Sequence, residues 1–193
     1  MKLIRGILKV ALSPPILLMV TKVYIPVLFP LTFLIGLSAM FLDRLLDPTL
    51  VSLLGVSSAH GFLPVPTNYW VALGSFVLGA FLWLWTYEQL VRVGKGSPSP
   101  TAGRTQALVT TGIYAYSRNP SLYGKLLGVL AVGFALNSFS FCFILVPLLL
   151  AGSLVEKVWR QEPQLVEVFG EEYLRYQREV PLFIPWKFFL PKR

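Results

Sequence analysis

The sequence is poor in charge, in cysteine and in histidine. Charged residues make up 13% of its 193 residues, whereas a soluble domain carries about 25%, so an ordinary soluble enzyme is excluded. The single cysteine, Cys142, cannot form an internal disulfide. The single histidine excludes any site built from several imidazoles. Hydrophobic residues, at 55%, instead indicate an integral membrane protein with several spans.

Long apolar segments predict the membrane-spanning helices. Residues 16–42 and 69–91 are each long enough to cross a hydrocarbon core of about 30 Å. Residues 43–67 connect them and contain several Gly and Pro residues that are typical of turns. Residues 1–10 carry basic side chains among apolar ones, which predicts an interfacial helix that leads into a retained first span.

The charge-free run of residues 126–155 has two interpretations, one tilted helix or a hairpin of two shorter helices. Basic residues flank both ends of the run: Arg118, Lys125, Lys157 and Arg160. Because Lys and Arg concentrate on the cytoplasmic side of membrane spans, the hairpin is favoured, with its turn at Asn137-Ser138. We therefore predict an all-α, multi-pass integral membrane helical bundle of about four transmembrane helices. Both termini are then cytoplasmic, and Arg44 is the only basic residue on the opposite face.

The C-terminal segment predicts an amphipathic helical region. A roughly helical spacing predicts that six apolar and aromatic residues share one face: Val158, Leu165, Phe169, Tyr173, Tyr176 and Val180. Glu162 falls on the same face, where a carboxylate needs a partner or a ligand. Since Pro163 disfavours helix at the residue before it, we expect one helix to end at Glu162. Gly170 predicts a second break, followed by a short helix from Glu171 to about Glu179.

A second group of polar residues precedes the hairpin, between Gly112 and Pro120. Each has a simple structural interpretation, such as an N-cap at Asn119 or interfacial tyrosines. The hairpin, however, brings Arg118 and Glu162 to the same membrane surface, with a height difference of roughly 9 Å. An arginine, tyrosines and a carboxylate at that surface indicate a site for a zwitterionic cofactor or headgroup.

Together these motifs resemble one protein family. The pattern Gly-x-Tyr-x-x-x-Arg-Asn-Pro, over residues 112–120, precedes the hairpin. Three further motifs follow it: Glu162-x-x-Leu165, Phe169-Gly170-Glu171-Glu172-Tyr173 and Val180-Pro181. This combination, which covers roughly residues 108–185, resembles the isoprenylcysteine carboxyl methyltransferase family and the related phospholipid N-methyltransferases.

The resemblance implies an enzyme that uses S-adenosylmethionine to methylate a lipophilic, membrane-embedded acceptor, of the isoprenylcysteine carboxylate or phospholipid amine type. The implied partners are this acceptor and membrane lipids, with no nucleic acid and no metal. The implied catalytic residues are Arg118 and Glu162. The implied cofactor-binding residues are Gly112, Tyr114, Tyr116, Arg118, Asn119, Pro120, Tyr123, Glu162, Leu165, Tyr173 and Tyr176.

The implied organisation is a single membrane domain over residues 1–193. Residues 1–91 supply the first two spans, and residues 92–193 form a cofactor-binding half that contains the hairpin. The active site is expected on the cytoplasmic side. Arg118 would hold the cofactor carboxylate with a fork of donors, and Glu162 would accept hydrogen bonds from the cofactor's ribose or amine.

Three positions depart from the family pattern. Asn119 replaces the histidine of many members, and Gln161 stands where a first glutamate is common. The tyrosine usual two residues after the proline is Leu122 here, and Tyr123 follows one residue later, which turns the ring by about 100° on a helix. These departures leave an alternative, a non-enzymatic membrane lipid-binding or assembly protein with the same fold.

Overall fold

The computed structural model describes residues 29–55, 61–94 and 107–184, and within these ranges the chain is all-α. The described helices are α1 (Phe29–Leu54), α2 (Thr67–Gly94), α3 (Ser121–Ala135), α4 (Phe141–Phe169) and α5 (Glu171–Glu179). A short 3₁₀ turn, Gly112–Ala115, precedes α3. The predicted interfacial helix and the start of the first predicted span lie outside the described residues.

Helices α2 and α4 are long and apolar enough to cross a membrane. Both leave large apolar side chains uncovered: Trp70 is 70% exposed and Leu148 is 64% exposed. In water, so much uncovered apolar surface would be unfavourable, whereas acyl chains cover it at no such cost. Helix α3 is apolar but shorter.

Helix α1 extends past the point where the first span was predicted to end. We expected residues 43–67 to connect two spans, but α1 continues to Leu54 with Pro48 inside it. The charge at Asp43 does not mark a helix end, because this side chain is only 3% exposed and is hydrogen-bonded within the protein. A buried, satisfied carboxylate is compatible with a continuing helix.

The run of residues 126–155 turns back at Asn137, so the predicted hairpin turn is confirmed. Asn137 has φ of 52°, a left-handed conformation that asparagine tolerates better than most residues. Its side chain accepts hydrogen bonds from the amides of Phe62 (3.1 Å) and Leu63 (3.0 Å). It also donates to the carbonyl of Leu63 (2.8 Å). Helices α3 and α4 are therefore separate arms on either side of this turn.

A first compact unit, the hairpin unit, consists of residues 29–55, 61–80 and 126–151. Its buried core comprises Ala39, Phe141 and Val146. Near the turn, the Asn68 side chain donates to the last carbonyls of α3, at 3.4 and 3.5 Å. Since the final carbonyls of a helix have no intrahelical partner, this amide satisfies groups that would be costly to leave unpaired in an apolar setting.

A second compact unit, the motif unit, consists of residues 81–94, 107–125 and 152–184. Its buried core comprises Tyr173, Tyr176 and Val180, against which Leu165 and Phe169 pack. These are five of the six residues predicted to share one face. The sixth, Val158, is 41% exposed, so its assignment to that face is wrong.

A wide, π-helical turn at Lys157–Gln161 explains this difference. It adds a residue to the helical turn, which rotates the preceding residues out of register. It also allows α4 to continue through Pro163, whose ring would otherwise crowd the preceding turn and whose nitrogen cannot donate. The helix end that we predicted at Glu162 is therefore wrong, and α4 continues to Phe169. The break at Gly170 (φ 54°) and the short helix Glu171–Glu179 are confirmed.

Candidate functional site

A buried ion pair lies at the centre of the motif unit. Arg118 Nη1 donates to Glu162 Oε1, and the two side chains are 12% and 11% exposed. Arg118 stands shortly before α3, and Glu162 lies within α4, after the hairpin turn. The structure thus brings together two residues that the hairpin was predicted to bring together.

Glu162 receives two further hydrogen bonds from α5. The hydroxyl of Tyr173 donates to Oε1 at 3.4 Å, and the amide of Gln177 donates to Oε2 at 3.0 Å. Both oxygens of Glu162 are therefore engaged by protein side chains. The Nε of Arg118, by contrast, is buried and has no hydrogen-bond partner among the described residues. The unsatisfied group at this site is a donor of the guanidinium.

Three tyrosines surround the ion pair. The hydroxyl of Tyr176 donates to the backbone carbonyl of Tyr114 at 2.6 Å, and the rings of Tyr173 and Tyr176 lie 5.9 Å apart. Burial raises the pKa of Tyr114 to about 12. Burial also raises the pKa of Tyr173 and of Tyr176, and the charge of Glu162 raises that of Tyr173 further. All three phenols therefore stay protonated at neutral pH, and those of Tyr173 and Tyr176 act as neutral donors.

The closing segment, residues 181–184, lies against the end of the Arg-Asn-Pro motif. The amide of Arg118 donates to the first carbonyl of this segment (2.9 Å). The side chains of Ser117 (3.4 Å) and Asn119 (3.2 Å) donate to the second carbonyl. The hydroxyl of Tyr123 donates to the third, and its ring lies 4.8 Å from the ring of the residue that carries that carbonyl. The motif therefore binds the chain's own C-terminal portion.

Two cavities border Arg118. The larger is open, has a volume of about 440 Å³, and is lined by Arg118, Leu154 and residues 177–184. The smaller has a volume of about 80 Å³ and is lined by Arg118, Leu165 and aromatic residues that include Tyr114 and Tyr173. Small-molecule sites occupy about 300–1,000 Å³, so the larger cavity has the size of a ligand site.

The sequence-predicted site residues fall into three groups. Arg118, Glu162, Tyr114, Leu165, Tyr173 and Tyr176 lie at the ion pair or line a cavity bordered by Arg118. Asn119 and Tyr123 contact the closing segment. The remaining three, which line neither of these cavities, are Gly112, Tyr116 and Pro120.

These three residues have other positions in the motif unit. Tyr116 is 43% exposed, whereas Pro120 is fully buried. Gly112 has φ of 64°, and a Cβ there would overlap the side chain of Gln89. The positive φ favours glycine at this position, whereas the flexible end of the Gln89 side chain would only have to move aside for a Cβ.

Sequence reasoning missed two participants. Gln177, which donates to Glu162, lies four residues after Tyr173, and that helical spacing was a usable signal. Ser117, which is fully buried, lies inside the motif but was not singled out.

The described residues contain no group of three or more His, Cys, Asp or Glu side chains that could hold a metal ion.

These features define the class of the protein: it is an all-α membrane protein with a buried arginine–glutamate pair beside an open cavity. The profile of the family described as phospholipid methyltransferase matches residues 67–172. This region is more than half of the sequence and holds both members of the ion pair. The chain belongs to this family.

Curated relatives are isoprenylcysteine methyltransferases. The protein-S-isoprenylcysteine O-methyltransferase of Schizosaccharomyces pombe is 32% identical over 117 residues, which cover 59% of this chain and 48% of the relative. The enzyme of the same name from Homo sapiens is 32% identical over 82 residues, which cover 42% of this chain and 28% of the relative. The chain thus matches about half the length of the yeast relative and less of the human one.

A solved structure has the same fold. The eukaryotic intramembrane Ras methyltransferase, an isoprenylcysteine carboxyl methyltransferase, superposes with a TM-score of 0.53 at 19% sequence identity. The superposition covers 82% of this chain and 52% of that chain. At this identity the likeness establishes the fold alone, and the predicted fold class, an all-α membrane bundle, is confirmed.

Proposed function

We propose that this chain is an S-adenosylmethionine-dependent membrane methyltransferase that acts on a lipophilic acceptor in the bilayer. The observation that carries the proposal is the buried Arg118–Glu162 pair at the border of an open cavity of about 440 Å³. Family membership and the names of the relatives support the reaction type. The acceptor class that we propose is an isoprenylcysteine carboxylate or a phospholipid amine.

The residues around the larger cavity fit S-adenosylmethionine, which carries a carboxylate, an amine, hydroxyls and a sulfonium. Arg118 lines this cavity, and its guanidinium would donate to an oxygen of the ligand. Arg178 and Glu179 line the same cavity and supply charges of both signs, as a zwitterion requires. Apolar residues such as Leu154 and Val180 line the remaining wall and exclude water.

In this proposal Glu162 acts on Arg118 and not on the ligand. Its oxygens already accept hydrogen bonds from Arg118, Tyr173 and Gln177. Glu162 therefore fixes the guanidinium in one orientation, and the amine and ribose contacts that the resemblance assigned to it fall to other polar residues of the cavity. Gln177 and Glu179 are the candidates.

When bound, S-adenosylmethionine supplies an activated methyl group for an in-line displacement on carbon. The chain's own residues then have to orient the two reactants and exclude water. An acceptor carboxylate needs no general base, whereas an amine must arrive deprotonated. The protonated phenols of Tyr114, Tyr173 and Tyr176 provide a rigid, neutral wall on one side of Arg118.

The membrane topology is also a proposal. Four spans with cytoplasmic termini and a cytoplasmic site follow from the distribution of basic residues. A cysteine introduced at Arg175 should react with a membrane-impermeant thiol reagent from the cytoplasmic side, and one at Arg44 from the opposite side. Equal reaction from one side would contradict four spans.

The test of the function is binding followed by transfer. The purified full chain, in detergent and in lipid nanodiscs, should bind S-adenosylmethionine at micromolar levels in calorimetry, and Arg118→Ala should abolish binding. Arg175→Ala is the matched control, since Arg175 is exposed on α5 and lines neither cavity. Labelled cofactor should then transfer its methyl group to a prenylated cysteine or to a component of total membrane lipid, identified by mass analysis. Undetectable binding in both media would refute the proposal.

One observation favours the alternative of a non-enzymatic lipid-binding or assembly protein. The ion pair is complete on its glutamate side without any ligand, so it also serves as a purely structural contact. This alternative predicts that the wild-type chain retains lipid through purification but methylates no component of a membrane extract. A labelled product from that extract would exclude it.

A further inference from the structure

The shifted tyrosine of the motif has a specific contact. Tyr123 follows the proline by three residues, and its hydroxyl donates to the carbonyl of Phe183, while the centres of the two tilted rings lie 4.8 Å apart. Leu122, at the position where the family pattern has tyrosine, is buried at 5% exposure. In this chain the phenol therefore points to the C-terminal portion of the protein.

The segment that Tyr123 contacts is a wall of the larger cavity. Residues 181–184, the closing segment, all line that cavity. They follow the end of α5 and have no regular secondary structure. Every hydrogen bond described for them joins one of their carbonyls to a residue between 117 and 123. The position of this wall therefore depends on the motif and not on a helix or sheet of its own.

We propose that Tyr123 and Asn119 are positioning residues, which hold the closing segment as a wall of the ligand cavity and do not themselves contact the cofactor. The proposal rests on the proposed function for the identity of the ligand. Tyr123 fixes the third carbonyl of the segment and Asn119 the second, while the backbone amide of Arg118 fixes the first. Arg118, which also lines the cavity, is thereby hydrogen-bonded to the closing segment.

This arrangement gives two departures from the family pattern neighbouring contacts with the same segment. An asparagine side chain donates to the carbonyl of Leu182 through its amide, at 3.2 Å, and a tyrosine one position later on α3 reaches the neighbouring carbonyl of Phe183. Both residues act on the same short stretch of backbone. Their effect on ligand binding is then indirect and passes through the position of residues 181–184.

The experiment combines amide exchange with binding. Hydrogen–deuterium exchange of the full chain, followed by mass spectrometry, reports on the peptide that contains the amide of Arg118, which is protected by its bond to the first carbonyl of the closing segment. Tyr123→Phe removes the hydroxyl and retains the ring, and Tyr123→Leu removes both. Tyr87→Phe is the matched control, because the described contact of Tyr87 is a ring contact with Trp83 that phenylalanine retains.

The expected result is faster exchange of the Arg118 amide for Tyr123→Phe and for Asn119→Ala, with a larger effect for Tyr123→Leu and none for Tyr87→Phe. Losing one hydrogen bond to the wall should weaken S-adenosylmethionine binding roughly 3- to 10-fold. In turnover, KM for the cofactor should rise by the same factor with kcat within about twofold, since uniform binding is lost.

Each other outcome overturns a distinct statement. Weaker binding with unchanged exchange means that Tyr123 contacts the cofactor directly, which overturns the positioning role. Faster exchange with unchanged binding also overturns it, because the wall would not affect the ligand. If the wild-type chain binds no cofactor, the proposed function fails and the positioning role fails with it, whereas the exchange data still test the contact between Tyr123 and the closing segment.

Discussion

A buried carboxylate in each compact unit, Asp43 in one and Glu162 in the other, can be compared by its partners; the motif unit also buries Glu88, which pairs with the exposed Arg92. In the hairpin unit, Asp43 is 3% exposed and accepts from the hydroxyl of Ser138 (2.5 Å) and the amide of Ser140 (2.6 Å). In the motif unit, Glu162 is 8% exposed and accepts from a guanidinium, a phenol and a carboxamide.

The different partners of Asp43 and Glu162 indicate a role in folding for Asp43 and a role in ligand binding for Glu162. Asp43 accepts from groups at the start of α4, where the first amides of a helix have no intrahelical partner, and so it acts as a cap supplied by another helix. Glu162 holds the guanidinium of Arg118, a residue that lines both cavities and whose buried Nε has no described partner. We therefore assign Asp43, which caps a helix, to folding. We assign Glu162, which orients a guanidinium, to ligand binding.

Breaking the ion pair should have the largest effect. Glu162→Leu leaves the guanidinium of Arg118 buried without its counter-charge, and this should lower the free energy of unfolding by about 3–5 kcal/mol and abolish cofactor binding. Arg118→Met should do the same. Thermal unfolding in detergent and calorimetry with S-adenosylmethionine measure the two effects.

The double variant Arg118→Met/Glu162→Leu sharpens this prediction. Replacing a buried pair by apolar side chains of similar size is often neutral for stability, so the double variant should regain most of the lost stability and still bind no cofactor. A double variant that binds the cofactor normally would assign the pair to folding alone, as for Asp43.

Removing the other carboxylate should affect folding only. Asp43→Ala leaves the hydroxyl of Ser138 and the amide of Ser140 buried without this acceptor, which should cost about 2–3 kcal/mol of unfolding free energy. The Kd of the folded protein for S-adenosylmethionine should stay within about twofold of wild type. Arg44→Ala, an exposed neighbour on α1, is the control. A weakened Kd would contradict the assignment of Asp43 to folding.

Gln177 tests an intermediate case, since it donates to Glu162 and also lines the larger cavity. Gln177→Ala should lower the free energy of unfolding by about 1–2 kcal/mol, because an oxygen of Glu162 loses its described donor. It should also weaken cofactor binding by a few-fold. Gln164→Ala, an exposed position on α4, should change neither quantity.

The smallest effect at neutral pH is expected at Tyr114. Burial raises its pKa in the folded protein to about 12 from the ordinary value of 10.0, so the unfolded chain loses this proton first as the pH rises. The protonated phenol of Tyr114 therefore makes its full contribution to the free energy of unfolding below pH 10, and this contribution is lost as the pH rises towards 12. Tyr114→Phe should therefore flatten the alkaline limb of a plot of melting temperature against pH. An unchanged alkaline limb would contradict the burial of the phenol.

The described helices followed from the sequence where local signals were strong. The apolar run of α2, the turn at Asn137 and the break at Gly170 each lie at residues whose own chemistry predicts them. The prediction failed where a distant partner changed the outcome. We expected a helix end at Asp43, but this carboxylate accepts a hydrogen bond within the hairpin unit and the helix continues past it. We also expected Pro163 to end a helix, but the wide turn that precedes it allows the helix to continue.

For the candidate site, too, local signals predicted which residues lie close together but not which distant residues they contact. The hairpin and the charge pattern predict that Arg118 and Glu162 lie close together, because a hairpin of two helices returns the chain to the membrane surface from which it started. That they would pair with each other, and that Asn119 and Tyr123 would bind the closing segment, could not be predicted. Such contacts depend on how side chains far apart in sequence approach within hydrogen-bond distance.

By itself the sequence determined that this is a helical membrane protein with a hairpin between two polar motifs, because low charge, apolar length and flanking basic residues act locally or through the bilayer. Only the tertiary structure decided which donor meets which acceptor. In an apolar surrounding every buried polar group must find a partner. The tertiary structure pairs Glu162 with the guanidinium of Arg118 and the carbonyls of residues 181–183 with the motif, and it leaves the buried Nε of Arg118 without a described partner.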